Sequence, residues 1–103
     1  MDSYTRNFLR KRAHELKPVV MVGKSGLDER IIQALKQALE SHELVKVRFV
    51  DYKESRQDLA HKMAADTSAE LISVIGNVAI IYREHEDPSE RRYHAPKRGK
   101  NYT

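Results

Sequence analysis

An α/β fold in the order α-β-α-β-α-β-β is predicted for this chain of 103 residues by three observations. A short β-branched run, Val19 to Val22, leads through two glycines into the most strongly patterned amphipathic stretch of the sequence. At Leu44 the apolar period changes from that of a helix to that of a strand. Near the end, two apolar runs are separated only by Gly76-Asn77, and a two-residue loop with glycine first suits a type II′ hairpin.

Each element follows from its own pattern. From about Thr5 to Leu16, Leu9, Ala13 and Leu16 stand at i, i+4 and i+7 with Phe8 alongside, and Arg6, Arg10, Lys11, Arg12 and His14 fill the other face. Pro18 disfavours helical geometry at Lys17 and ends that helix. Val19 to Val22 reads as a buried strand. Leu27, Ile31, Ile32, Leu35, Ala38 and Leu39 then share one helical face, opened either by Asp28 as N-cap or by a capping box from Ser25 to Asp28. From Leu44 to Val50, Val45, Val47 and Phe49 alternate with Lys46 and Arg48, the mark of a half-exposed strand. Glu54 to about Ala65 is a helix with Leu59, Ala60, Met63 and Ala64 inward. Leu71 to Ile75 and Val78 to Tyr82 form the closing hairpin. Strand–helix–strand units with short connections imply parallel pairing and right-handed crossovers, so the expected product is a four-stranded mixed sheet packed by helices.

The size allows one small domain, and a hydrophobic fraction of 40% supplies a single core. No window approaches a membrane span, and the first residues carry no apolar stretch, so no secretory leader is expected. Cysteine is absent, which excludes disulfides, thiolate chemistry and cysteine-ligated zinc. A cytoplasmic location is the simplest expectation. The net charge of +4 is unevenly spread: residues 1–26 hold six Lys/Arg against two Asp/Glu, residues 27–87 eight against twelve, and residues 88–103 five against one. Basic ends and an acidic middle suit a polyanion lying on one side of the molecule. Beyond Tyr82 the apolar pattern stops, which predicts a domain of residues 1–87 and a basic, mobile tail of residues 88–103.

The junction from Gly23 through Lys24 and Ser25 to Gly26 carries the functional signal. Glycines permit positive φ and close approach of another backbone, and the first amides of the following helix lack intrahelical partners. Such a site suits phosphate, and a basic chain around it suits a nucleic-acid backbone. It is no P-loop, because Pro18 occupies the position of that motif's first glycine. Its GxxG spacing matches the loop by which KH domains clamp a backbone, although there the loop joins two helices. His14-Glu15 and His42-Glu43 begin like HExxH but lack the second histidine, and the remaining histidines are read as surface residues, so no metal site is expected. No acid, base or nucleophile stands near the loop, and Ser25 is read as a small donor or a cap. The candidate contacts are Gly23, Lys24, Ser25 and Gly26, with Arg30 in the next helix and Arg10, Lys11, Arg12 and Lys17 before the strand; no catalytic residue and no cofactor are expected.

These residues together resemble a known family. His14-x-Leu16-Lys17-Pro18-Val19-Val20-x-Val22-Gly23-x-x-Gly26-Leu27, then His42-Glu43-Leu44-Val45-Lys46-Val47, and Val74-Ile75-Gly76 with Ile81-Tyr82-Arg83, resemble the CRM domain in its stand-alone bacterial YhbY form, over about residues 5–84. The resemblance implies a fold similar to the C-terminal domain of translation initiation factor three. It also implies RNA binding without catalysis, with ribosomal RNA of a large-subunit precursor as partner, and carries the family's RNA-contacting loop onto Gly23, Lys24, Ser25 and Gly26. A monomer without membrane contact is expected. Two other readings use the same residues: a small enzyme holding a phosphate ester at the loop, and an interaction module docking a protein through its acidic middle.

Overall fold

Asp2 starts the first helix. Its carboxylate accepts the Thr5 N–H at 2.8 Å, so α1 runs Ser3–Ala13, starting two residues ahead of the expected Thr5. These and all other positions come from a computed structural model that describes residues 1–51 and 54–94. α1 stops short of Leu16, whose N–H closes a tight turn on the Ala13 carbonyl at 3.0 Å before Pro18. β1 (Val20–Val22), α2 (Glu29–His42), β2 (Leu44–Phe49), α3 (Arg56–Asp66), β3 (Glu70–Ile75) and β4 (Val78–Tyr82) follow in the predicted order. Gly76 turns the β3–β4 hairpin at φ +59°, the region a type II′ turn demands of its first loop residue.

The four strands lie in the order β1-β2-β4-β3. β1 and β2 pair in parallel, Val20 against Val47, as the strand–helix–strand unit predicts. β2 and β3 run in the same direction but do not pair, because β4 lies between them, antiparallel to both. The reason is burial. β4 is apolar on both faces, with Ala79 and Ile81 on one side and Ile80 and Tyr82 on the other, whereas β3 is largely half-buried and ends in exposed Ile75. The strand that can be covered twice takes the interior of the sheet.

Two cores result. α2 and α3 cover one face, where Ile32, Leu35, Leu39, Ala60 and Met63 meet Val20, Val22, Val45, Val47, Phe49 and Ile81. α1 covers part of the other, setting Leu9 and Ala13 on Leu44, Ile72, Ile80 and Tyr82. A bulge between Leu71 and Ser73 turns Ile72 into that second core and frees two carbonyls. Arg6 answers them: one guanidinium nitrogen donates to the Leu71 carbonyl at 2.6 Å and to the Ile72 carbonyl at 2.9 Å. Arg6 thus belongs to the architecture and not to the solvated basic face of α1 where the sequence pattern puts it.

The chain beyond β4 keeps contacts with the domain past residue 87. Buried Glu43 follows α2 at φ +64° and accepts the backbone N–H of His85 at 2.7 Å and that of Arg92. Between them, Asp87 opens a 3₁₀ turn, Pro88–Glu90, by accepting the Ser89 N–H at 3.0 Å. Tyr93 then meets Tyr82 edge to face, ring centres 6.5 Å apart. Low apolar content predicts a mobile tail from residue 88, but one backbone donor, the Arg92 N–H, and one aromatic ring, Tyr93, hold the segment against the domain as far as Tyr93. The rest of the predicted tail, residues 95–103, lies outside the described residues.

Candidate nucleic-acid interface

Residues 23–26 form a closed β-turn. The Gly26 N–H donates to the Gly23 carbonyl at 3.0 Å, and Gly26 adopts φ +80°, a region that strains any residue with a Cβ. Gly23 has a different reason to be small: a Cβ there would meet no atom within 4 Å, so the position is open to whatever approaches from outside. Lys24 and Ser25 stand exposed at the tip.

The helix after the turn is capped by its own acid. Asp28, and not Ser25, is the N-cap of α2, accepting the Ile31 N–H at 3.0 Å. That backbone N–H, aided by the nearby Arg30 guanidinium, holds the Asp28 carboxyl below its usual range. Glu29 adds a second negative charge in the first turn. The α2 N-terminus is therefore already supplied with anionic charge, and the expected anion site contracts to the turn itself. Arg30, almost fully exposed, pairs with Asp28 at 3.4 Å and stands beside the turn.

The other predicted contacts fall into two groups. Arg10 and His14 flank the buried stripe of α1 and, with Lys46, Ile75, Val78 and Ile80, line a cleft of about 200 Å³ between that helix and the sheet. This cleft reaches the hairpin end of the sheet, where the Phe49 N–H donates to the Asn77 carbonyl at 2.8 Å and the Val50 N–H to the Val22 carbonyl at 2.9 Å. The 23–26 turn leaves β1 at that same end. Lys11 and Arg12 are exposed on α1 but do not line the cleft. Lys17 lies toward the opposite end, bordering a second depression with Val19, His42, Lys46, Arg92 and Tyr93. The fold therefore joins Arg10 to the turn's end of the sheet and Lys17 to the fastened C-terminal segment.

Arg48, Lys46 and Arg92 are cations missing from the predicted set. The alternation of β2 already puts Lys46 and Arg48 on one face, but only the partial cover by α1 shows that this face stays open at the turn's end. Arg92 could not be found, because nothing local marks Glu43 as its anchor. Among the described residues no helix is long and apolar enough to cross a membrane, and no three His, Asp or Glu gather as a metal site.

Comparison with known proteins finds similar chains of the same family and fold. The model of the CRS1 / YhbY (CRM) domain matches residues 1–83. The Bacillus subtilis protein named "Probable RNA-binding protein YqeI" is 34% identical over 83 residues, 80% of this chain and 86% of its own length. A Haemophilus influenzae protein named "RNA-binding protein" is 35% identical over 88 residues, covering 84% of this chain and 89% of that one. The solution structure of protein SAV1595 from Staphylococcus aureus superposes with a TM-score of 0.77 at 31% identity, covering 89% of this chain and 97% of the other.

Proposed function

This chain belongs to the CRS1 / YhbY (CRM) domain family, and from that premise we propose that it is an RNA-binding protein that holds an RNA backbone at the 23–26 turn and performs no catalysis. The observation that carries this reading is the open flank of Gly23 beside exposed Lys24 and Ser25, on the end of the sheet to which Arg10 also belongs. A sugar–phosphate chain can approach a backbone that has no Cβ in the way, and the surrounding cations supply the sequence-independent attraction. Arg30 and the outer α1 residues Lys11 and Arg12 extend the field, with Lys17 at its far margin. The relatives' names speak of RNA binding, and the family resemblance adds ribosomal RNA in a large-subunit precursor; the composition adds a cytoplasmic location, and the protein acts as a monomer.

Fluorescence anisotropy with labelled RNA at several salt concentrations tests the turn. Gly23→Val should leave thermal stability nearly unchanged, since a Cβ there meets no atom within 4 Å, yet weaken RNA binding. Undiminished affinity in that folded variant would remove the turn from the interface. Lys24→Ala should weaken all RNA sequences about equally and lower the salt slope by roughly one. For the assembly role, the protein should sediment with large-subunit precursors in a gradient of cell extract. Recovery only in the ribosome-free fractions would overturn that part.

A further inference from the structure

On the sheet face that α1 covers only in part, the end it leaves open carries a row of side chains running straight across all four strands. Register sets Met21 beside Arg48, Arg48 beside Val78, and Val78 beside Ile75. Partners in register point to the same side, and this is the side of Ile80 and Leu44, on which α1 packs. α1 reaches only Arg10 and His14 along the cleft, so Met21 stays 44% and Ile75 53% exposed. Four strands at their usual spacing make the row about 14 Å long.

We propose that this row is a second RNA contact surface, which takes the faces of unpaired bases while the 23–26 turn holds the backbone. The inference rests on the RNA-binding reading and adds to it the class of RNA: a strand with exposed bases. Met21, Val78 and Ile75 offer apolar contact to base faces, and the methionine thioether is polarisable against aromatic rings. The charge selects the occupant. Arg48 sits within the row, Lys46 and Ile80 occupy the next one, and Arg10 and His14 close the cleft beside them. None of these side chains is acidic, so a polyanion with flat apolar faces fits where a neutral protein surface would leave the cations unmatched. Single-strand binders in general combine a cationic track with a platform for bases.

The protein holds no tryptophan, so Ile75→Trp makes a single reporter at the end of the row. Oligouridylate should quench the introduced indole as it binds, whereas a blunt RNA duplex of equal length should bind without quenching. Met21→Trp repeats the measurement from the other end and covers the case of a variant that does not fold. The double variant Met21→Ser/Ile75→Ser should lose about tenfold in oligouridylate affinity with an unchanged salt slope, because it removes base contacts and no phosphate contact. Binding seen by anisotropy without quenching at either position overturns this proposal alone, as does equal quenching by the duplex. Failure of the unmodified protein to bind any RNA overturns the RNA-binding reading, and this proposal with it.

Discussion

At Glu43 an unfavourable backbone conformation and a buried carboxylate are combined in one residue. Its φ of +64° belongs to glycine more than to glutamate, and such a conformation costs on the order of 1–3 kcal/mol. What holds it there is the side chain, which accepts two backbone N–H groups from the C-terminal segment, while its own carbonyl accepts the Arg83 N–H at 2.9 Å. Hydrogen bonds to a charged group are worth about 1.5–3 kcal/mol each, and the orphaned donors add their own desolvation. Glu43→Ala should therefore destabilise the fold by about 3 kcal/mol in urea denaturation; a change under about 0.5 kcal/mol would show that the segment docks by other means. In the sequence this residue is only one more charge after a helix. Its partners lie more than forty residues away, and no local rule marks a glutamate as buried. Tyr82, next to it, gives a pH test. Burial, then the charges of Glu43 and Glu84, push its phenol up from 10 to about 12. The unfolded chain ionises first, so the stability contributed is complete below pH 10 and is lost as pH rises toward 12. Melting curves should show that loss in the unmodified protein and a weaker one in Tyr82→Phe.

Among the elements, helices and strands were legible from period alone, because each buries one face and the pattern is local. Pairing was only partly so. The hairpin declares itself at Gly76-Asn77, and the β1–α2–β2 unit declares a parallel pair. Which strand of the hairpin joins β2 depends on α1 and α3 covering β4 from opposite sides, a matter of distant packing. The α2 N-terminus shows the same limit on function: glycines, a lysine and a helix start suggest an anion site, yet the sequence left open whether Ser25 or Asp28 caps the helix. With Asp28 as cap, the carboxylate is held below its ordinary range, so it supports α2 above that range and ceases to as pH falls through it. Asp28→Ala should lower the urea midpoint, whereas Asp28→Ser, which keeps a capping oxygen, should retain most of it and flatten the acid side of the stability profile. If the two variants melt alike, the cap contributes nothing and the turn region is held by packing alone.

For the whole molecule, the distribution of charge reads differently once the C-terminal segment is fastened. Basic ends flanking an acidic middle suggest a tail separate from the domain, but Arg92 and Tyr93 come to rest beside Lys17 and Lys46, at the far margin of the basic surface. Two truncations separate anchoring from binding. Ending the chain after Asp87 removes the Arg92 N–H from Glu43 and the Tyr93 ring from Tyr82. An aromatic pair is worth about 0.5–1.5 kcal/mol and a charge-assisted bond somewhat more, so stability should fall by about 2–4 kcal/mol. In a domain of this size that is a drop in Tm on the order of 10–20 °C. Ending it after His94 keeps every contact just named and deletes only Lys97, Arg98 and Lys100 among the charged residues. RNA affinity should then fall most at low salt, and the dependence on salt should become shallower, by up to about three in slope if each cation meets a phosphate. An unchanged salt titration after the second truncation would leave those three cations with no part in binding. An unchanged Tm after the first would support the domain boundary that the sequence places at residue 87.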